Sequence, residues 1–328
     1  MNSFVLGIVG ATGLVGRTIL RVMEERNIRP AQLYLFASKN SAGKTLTFNG
    51  EEYVVKDVAE SINIKMDYAI FSAGASVAKQ YAHRLVQKGC IVIDNSSAFR
   101  MDKNVSLIVP EVNWDDLDLS SGIIANPNCS TIQCMSPLKV VDEMFGITSV
   151  IYNTYQSVSG AGKRGLDDLE RTRAGEAPEY FPHNISENCL LQIGEFLDDG
   201  YTQEEAKMEN ETKKILSLTA PVTATCVRVP CKYCHLVNIY VTTQKPIDLS
   251  KLCKKLTRQA GVRLIDDKTA FPYNELAHGN NKIYVGRLRT HHNNPCGLHI
   301  SCVADNLRKG ASTNAVQILE KLIQKSTT

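Results

Sequence analysis

Apolar residues in the first third of the chain come in short bursts separated by polar, glycine-bearing turns. The β-rich run Ser3–Val9 leads straight into Gly10-Ala-Thr-Gly13-Leu-Val-Gly16, after which the apolar spacing becomes helical from Leu14 to about Glu25. Leu33–Ala37 reads as a second buried strand. Thr45–Phe48 and Glu52–Val55 flank Asn49-Gly50, a pair that favours a type I′ hairpin turn because both residues tolerate positive φ. Strands follow at Tyr68–Phe71 and Ile91–Ile93, with an amphipathic helix over Ser76–Gln87 between them. Strand and helix alternating in this way predict a doubly wound α/β sheet.

The pattern then changes. Thr131 to about Phe145 is again spaced as a helix, but Thr148–Tyr155, Val222–Val229 and Leu236–Thr243 alternate with period two, which predicts an antiparallel sheet. Thr202-Gln-Glu-Glu205 has the spacing of a capping box and opens a helix through Leu216. On it Glu204 and Lys207 share a face, which from spacing alone means a solvated ion pair. Near the C-terminus, Ser312–Gln324 puts Ala315, Ile318, Leu319 and Leu322 on one helical face.

With 328 residues, 43% of them hydrophobic, the chain can bury about two cores of roughly 150 residues each. Its 37 Lys and Arg nearly balance 34 Asp and Glu, so it lacks the one-signed field of a dedicated nucleic-acid or membrane-surface binder. No apolar run approaches the roughly 18 residues of a membrane span, and no basic stretch precedes a hydrophobic one at the N-terminus. The expectation is a cytoplasmic protein whose ten cysteines are mostly buried thiols.

Four segments have the residue types that chemistry needs. Glycines spaced G-x-x-G-x-x-G between the first strand and first helix would let the backbone approach a pyrophosphate, whose charge the helix N-terminus then meets. No acid follows the second strand to bind a ribose hydroxyl; Ser38-Lys39-Asn40 and Lys44 supply donors suited to a 2′-phosphate, which points to NADP. Cys129, in Ala125-Asn-Pro-Asn-Cys-Ser-Thr131, precedes a predicted helix, the setting of a nucleophilic thiolate; seven histidines compete to be its base. Asp94-Asn-Ser-Ser-Ala-Phe-Arg100 ends a strand with an arginine able to grip phosphate or carboxylate, and Ser157–Gly165 is too glycine-rich for a sheet interior. Cys231-Lys-Tyr-Cys234-His235 matches a haem-attachment or zinc pattern only by its short spacing, and no metal is expected.

Together these segments resemble the aspartate-semialdehyde dehydrogenase family over nearly the whole chain. The resemblance rests on the glycine loop, Ser41-Ala-Gly-Lys44, Asp94–Arg100, Val109-Pro-Glu-Val-Asn113, Asn126–Thr131, Tyr155-Gln-Ser-Val-Ser-Gly-Ala-Gly162, Arg228-Val-Pro230 with His235, and Asp305-Asn-Leu-Arg-Lys-Gly310. It implies a Rossmann-type dinucleotide-binding domain over residues 1–128, completed by a returning segment at 307–328. Residues 129–306 would form an α+β catalytic and dimerisation domain with a large, mostly antiparallel sheet. The implied reaction is NADPH-dependent reduction of L-aspartyl 4-phosphate to the semialdehyde and phosphate, at the branch point to lysine, threonine and methionine.

By the same resemblance Cys129 is the nucleophile, His235 the acid/base, and Gln156 orients the acyl intermediate. Arg228 would clamp the substrate carboxylate and Glu204 its ammonium, while Arg100, Asn128 and Lys207 hold phosphate. The cofactor would be held by Gly10, Thr12, Gly13, Leu14, Val15 and Gly16, by Ser38, Lys39 and Ser41, by Ser72 and Gly74, and by Ser159 and Gly160. Asn314 and Gln317 would reach the nicotinamide amide. A homodimer or homotetramer is implied. The chain departs from the family at Asn40, where an arginine is usual, at Cys234 and Leu236, where small residues flank the histidine, and from Pro272 to Asn294. Two rivals are distinguishable: an N-acetyl-glutamyl-phosphate reductase has no substrate ammonium for Glu204, and a non-catalytic homologue would have lost Cys129 or His235.

Overall fold

Residues that are apolar without alternation build a sheet covered on both faces. In the computed structural model, which describes residues 3–267 and 269–325, these are Val5–Val9 (β1), Gln32–Ala37 (β2), Lys56–Asp57 (β5), Tyr68–Phe71 (β6), Ile91–Asp94 (β7), Ser106–Leu107 (β8) and Ile123–Ala125 (β9). They pair in the order β5-β2-β1-β6-β7-β9-β8, every pairing parallel. Helices α1 (Leu14–Glu25) and α2 (Ala75–Val86) cross between strands. The hairpin β3 (Thr45–Phe48) and β4 (Glu51–Val54) turns at Asn49 and Gly50 with φ of 50° and 82°, both positive as a type I′ turn demands. Everything up to Pro127 forms one unit with the chain from Ala311 onward.

Residues 128–310 form the second unit. Its helices are α3 (Cys129–Phe145), α4 (Lys163–Arg173), α5 (Gln203–Leu216), α6 (Leu249–Arg258) and the short α7 (Asn274–Ala277). Its sheet contains β10 (Ile147–Gln156), β11 (Val222–Arg228), β12 (His235–Thr243), β13 (Val262–Leu264), β14 (Ile283–His291) and β15 (Asn294–Ala304), in the order β11-β10-β12-β15-β14-β13. Three pairings are antiparallel, but β10/β11 and β13/β14 at the two edges are parallel. The sheet is therefore mixed, because each edge strand is reached through a helical crossover rather than a tight turn. Along β10 burial alternates: Val150, Tyr152, Thr154 and Gln156 point inward, and Ile151, Asn153 and Tyr155 outward.

The last helix, α8 (Thr313–Lys325), returns to the first unit. Its Ala315, Ile318, Leu319 and Leu322 join a core with Ile8, Ile19, Met23 and Ile70, the face predicted from spacing.

Candidate active site

Strand register assembles the first part of the site. Gln156 is the last residue of β10; it lies opposite Arg228 at the end of β11 on one side and His235 at the start of β12 on the other. Three residues far apart in sequence thus become neighbours at one end of the sheet, all buried. Cys129 arrives from another direction, as the first residue of α3, whose cap Asn128 makes no side-chain bond to the amides of the helix's first turn. Those amides and the helix dipole favour a thiolate. Gly310 lies against it: a β-carbon there would come 3.0 Å from Cys129 Cβ.

Cys129 Sγ is 3.3 Å from His235 Nε2. Of seven histidines, this is the one the fold delivers to the thiol. On the far side of the ring, Nδ1 accepts the backbone N–H of Ser157 at 3.0 Å and lies 3.2 Å from the Ser157 hydroxyl. That hydroxyl in turn donates to Asn306 Oδ1 at 3.3 Å. Ser157 can therefore serve both ring states: its amide meets an unprotonated Nδ1, and its oxygen accepts from a protonated one. Burial, reinforced by the positive Arg228, pushes His235 down to about 3, so the resting ring is neutral. Gln133 of α3 locks the strand itself, donating to the carbonyls of His235 at 3.1 Å and Cys302 at 3.2 Å.

The capping box predicted at Thr202 is present, and it places Glu204 and Lys207 on the first turns of α5. The solvated-pair reading of these two fails. Glu204 is 5% exposed, and one of its oxygens accepts from Asn128 Nδ2 at 2.7 Å and Gln156 Nε2 at 3.0 Å. The other meets Lys207 Nζ at 3.3 Å. Burial alone would raise this carboxyl, but Lys207, Asn128 and Gln156 together outweigh it and hold it at about 2. Arg228 donates through Nη1 to the Ser157 carbonyl at 2.7 Å, while its buried Nε has no hydrogen-bond partner. A buried guanidinium nitrogen left open in this way suits an incoming carboxylate.

In the first unit, Gly10 and Gly16 are glycines by necessity. A β-carbon on Gly16 would sit 2.3 Å from the Gly10 carbonyl, and one on Gly10 2.5 Å from that of Ser72. These close approaches bring the ends of β1 and β6 together around the start of α1, where Gly13 caps without a side chain and Thr12, Leu14 and Val15 complete the turn. β1 is also where the sheet order reverses, the place open α/β sheets bind ligands. Ser72 Oγ is buried there without a partner, and Gly74, at φ 90°, has open space beside it. These features fit a dinucleotide pyrophosphate. Past β2, Ser38, Lys39, Asn40 and Ser41 form a short exposed turn, with Lys44 Nζ 3.5 Å from Ser41 Oγ. Asp57, beside Ala37 in register, is occupied in capping Ala59.

Other candidates are placed as follows. Arg100, buried, donates to the carbonyls of Asn126 and Asn95 in the first unit. Asn314 is buried in that unit, and its amide nitrogen donates to the Ile108 carbonyl and Asn126 Oδ1. Gln317 donates to Glu111 at 2.8 Å. Ser159 and Gly160 lie beside His235 in the second unit: Ser159 bonds Asn306, and a β-carbon on Gly160 would come 3.3 Å from the His235 ring. All ten cysteines are free thiols. Sequence reasoning missed Ser157, Asn306 and Glu211; Glu211 accepts the backbone N–H of Asn128 at 2.6 Å, steadying the approach to Cys129. Ser157 and Asn306 lie in the Tyr155–Gly162 and Asp305–Gly310 motifs without a role assigned to either, and nothing local marks Glu211.

The chain matches the family models for the semialdehyde dehydrogenase NAD-binding domain over residues 5–120 and dimerisation domain over residues 137–309. It is 46% identical to aspartate-semialdehyde dehydrogenase of Aquifex aeolicus, covering 98% of each chain. With that of Bacillus subtilis it shares 42%, covering 97% of this chain and 96% of the relative. A solved structure of aspartate-semialdehyde dehydrogenase II from Vibrio cholerae, complexed with ASA, superposes with a TM-score of 0.94 at 41% identity, covering 99% of both chains. On these grounds the chain belongs to the aspartate-semialdehyde dehydrogenase family of NAD(P)-binding oxidoreductases.

Proposed function

We propose that the chain reduces L-aspartyl 4-phosphate to L-aspartate 4-semialdehyde and phosphate with NADPH, through a thioester on Cys129. The observation that carries this is the 3.3 Å approach of Cys129 Sγ to His235 Nε2 at the start of α3. Cys129 gives its proton to His235 Nε2 in the neutral tautomer whose Nδ1–H donates to Ser157 Oγ, and attacks the acyl carbon, expelling phosphate; the Ser157 oxygen keeps that Nδ1–H once the ring is charged. Lys207, Asn128 and Arg100 take the role of meeting phosphate charge. When bound, the reduced nicotinamide supplies the hydride that turns the thioester into a thiohemiacetal. His235 protonates the new oxygen and recovers the proton as the carbonyl re-forms and Cys129 leaves as thiolate. Gln156 orients the acyl group, Arg228 binds the α-carboxylate through its open edge, and Glu204 binds the α-ammonium. The Glu204 carboxylate, buried and ionised, favours an amine-bearing substrate over an N-acylated one.

NADP over NAD is supported by Lys39, Lys44 and Ser38 after β2, with the neighbouring Asp57 carboxylate engaged elsewhere. Residues 1–128 with 307–328 would carry the dinucleotide, and 129–306 the chemistry and the contact between copies. Ser159 and Gly160 would also serve the cofactor, Asn314 and Gln317 the nicotinamide amide. The product would feed lysine, threonine and methionine synthesis in the cytoplasm, a setting compatible with the absence, among the described residues, of any helix long and apolar enough to cross a membrane.

The decisive assay is phosphate-dependent reduction of NADP by L-aspartate semialdehyde, run beside NAD and N-acetyl-glutamate semialdehyde. NADPH formation with aspartate semialdehyde alone is expected; turnover only of the acetylated substrate would refute the reading. Cys129→Ala should keep its melting temperature and dinucleotide binding yet lose roughly 10⁴-fold or more in kcat. Substantial residual turnover would remove Cys129 as nucleophile.

A further inference from the structure

Outside the site just described, three ligand-type side chains converge in the second unit from separate segments. Cys234 precedes β12, His278 follows α7, and Asp305 follows β15; their Sγ, ring nitrogen and carboxylate oxygen all lie within 4.8 Å of one another. His278 Nδ1 is 3.3 Å from Asp305 Oδ2. Around a tetrahedral zinc, bonds of about 2.0–2.3 Å imply ligand separations of roughly 3.3–3.8 Å, so this pair is already at ligating distance. His278, with its side chain 53% exposed, forms the solvent-facing side, whereas Cys234 and Asp305 are buried.

Each ligand is held by a neighbour, as in built metal sites. The Asp305 carboxylate accepts the backbone N–H groups of Leu307, Arg308 and Gly279 at 2.9, 3.2 and 2.9 Å. The His278 ring stacks on Tyr233 with centroids 4.6 Å apart and planes 15° from parallel. Cys234 has φ 67°, a left-handed conformation that costs about 1–2 kcal/mol for a residue with a β-carbon. It is held there from both sides, its N–H donating to Asn306 Oδ1 at 2.9 Å and its carbonyl accepting from Asn274 Nδ2 at 3.2 Å. Such strain persists where surrounding contacts over-determine it.

We propose that Cys234, His278 and Asp305 form a binding site for a thiophilic divalent cation, zinc by its chemistry, and that occupying it slows turnover. Sulfur and imidazole ligands select zinc, cadmium or cobalt over magnesium or calcium. Ligation binds the metal through the Cys234 thiolate, and the thiol proton leaves to solvent. The route to the reaction is short. Cys234 is joined directly to His235, and the Asn306 oxygen that holds its N–H also accepts from Ser157, which supports the His235 ring. Drawing Cys234 toward a metal shifts the peptide that aims His235 at Cys129.

The slowing rests on the reading of Cys129 and His235 given above; the binding does not. Binding is tested with cobalt(II) on full-length protein carrying Cys129→Ala, which removes the other thiol–imidazole pair. A sulfur-to-cobalt charge-transfer band saturating at one equivalent is expected, and it should vanish when either Cys234→Ala or His278→Ala is added. Absence of the band, or its persistence in those variants, overturns the site. The effect on turnover is tested by zinc titration of the wild-type enzyme and of His278→Ala, a rim substitution expected to leave kcat without zinc unchanged. The zinc concentration for half-inhibition should rise about tenfold or more in the variant. Equal inhibition would show that zinc acts at Cys129 and His235 and overturn the regulatory half. If the enzyme proves inactive on aspartate semialdehyde, the cobalt band still decides whether the site exists.

Discussion

Glu204 shows how one residue's surroundings change its meaning. On the surface of α5 it would contribute a few tenths of a kcal/mol to an ion pair, but its oxygens are engaged by Asn128, Gln156 and Lys207. Its folded-state pKa of about 2 lies below the ordinary 4.5, so the native state favours the ionised form. The resulting stability is fully present above pH 4.5 and is lost as pH falls through 2. At about 1.4 kcal/mol per unit this amounts to about 3 kcal/mol. Glu204→Gln should therefore unfold at lower urea than the wild type at neutral pH, with the gap closing as the solution is acidified toward that range. Its KM for aspartate semialdehyde should rise more than its kcat falls. A stability gap independent of pH would contradict the assigned network. The sequence placed Glu204 and Lys207 on one helical face and no more, because spacing within a helix carries no information about Asn128 or Gln156, which come from other elements. Likewise Cys129 stood out by its turn, whereas its histidine and the Ser157–Asn306 support behind the ring depend on strand register across more than a hundred residues.

Elements with a strong period were legible, and those without one were not. The β1–turn–α1 unit, the Asn49-Gly50 hairpin, α5 and α8 follow from apolar spacing and turn chemistry that are local. Helix α4 was not, since KRGLDDLERTR offers only Leu166 and Leu169 as large apolar residues. Strand β14 was hidden by the irregular register near Gly286 and by Arg287 at φ 54°, which interrupt its alternation. The glycine turn makes an element-level prediction. Gly16 lies inside α1, where alanine normally stabilises, yet its added methyl would sit 2.3 Å from the Gly10 carbonyl. Backbone cannot swing aside as a flexible side chain can, so Gly16→Ala should push α1 from β1 and cost about 1–3 kcal/mol in stability. NADP affinity, read by fluorescence titration, should fall with it while the Cys129 thiol still titrates. A variant that binds NADP as well as the wild type would argue against a pyrophosphate seat at this turn.

At the scale of the whole molecule, the six-stranded sheet turns one side of β10 and β12 inward and leaves the residues of the other side half-buried or exposed among the described residues. Residues directly opposite in antiparallel strands share a face, so Ile151 with Tyr240 and Tyr155 with Leu236 line the outer side of β10 and β12. Ile151 and Tyr155 are 40% and 41% exposed, large apolar groups in a sheet centre where a solvated surface would have polar ones. The occupant proposed for this face is a second copy, consistent with the dimerisation family model that spans it. In a two-fold interface each substitution acts twice. Ile151→Asp would bury an unpaired charge from each subunit, at about 3 kcal/mol per copy, enough to weaken association by roughly 10⁴-fold. Light scattering should then find a monomer for the variant and a dimer or tetramer for the wild type. Turnover should drop as well, because β10 carries Tyr155 on the outer face and, one residue later, Gln156 on the inner face beside Arg228 and His235. Freeing the outer face loosens the strand end that aligns them. A wild-type protein that is monomeric at micromolar concentration, or an Ile151→Asp monomer with full activity, would separate the sheet's outer face from its chemistry.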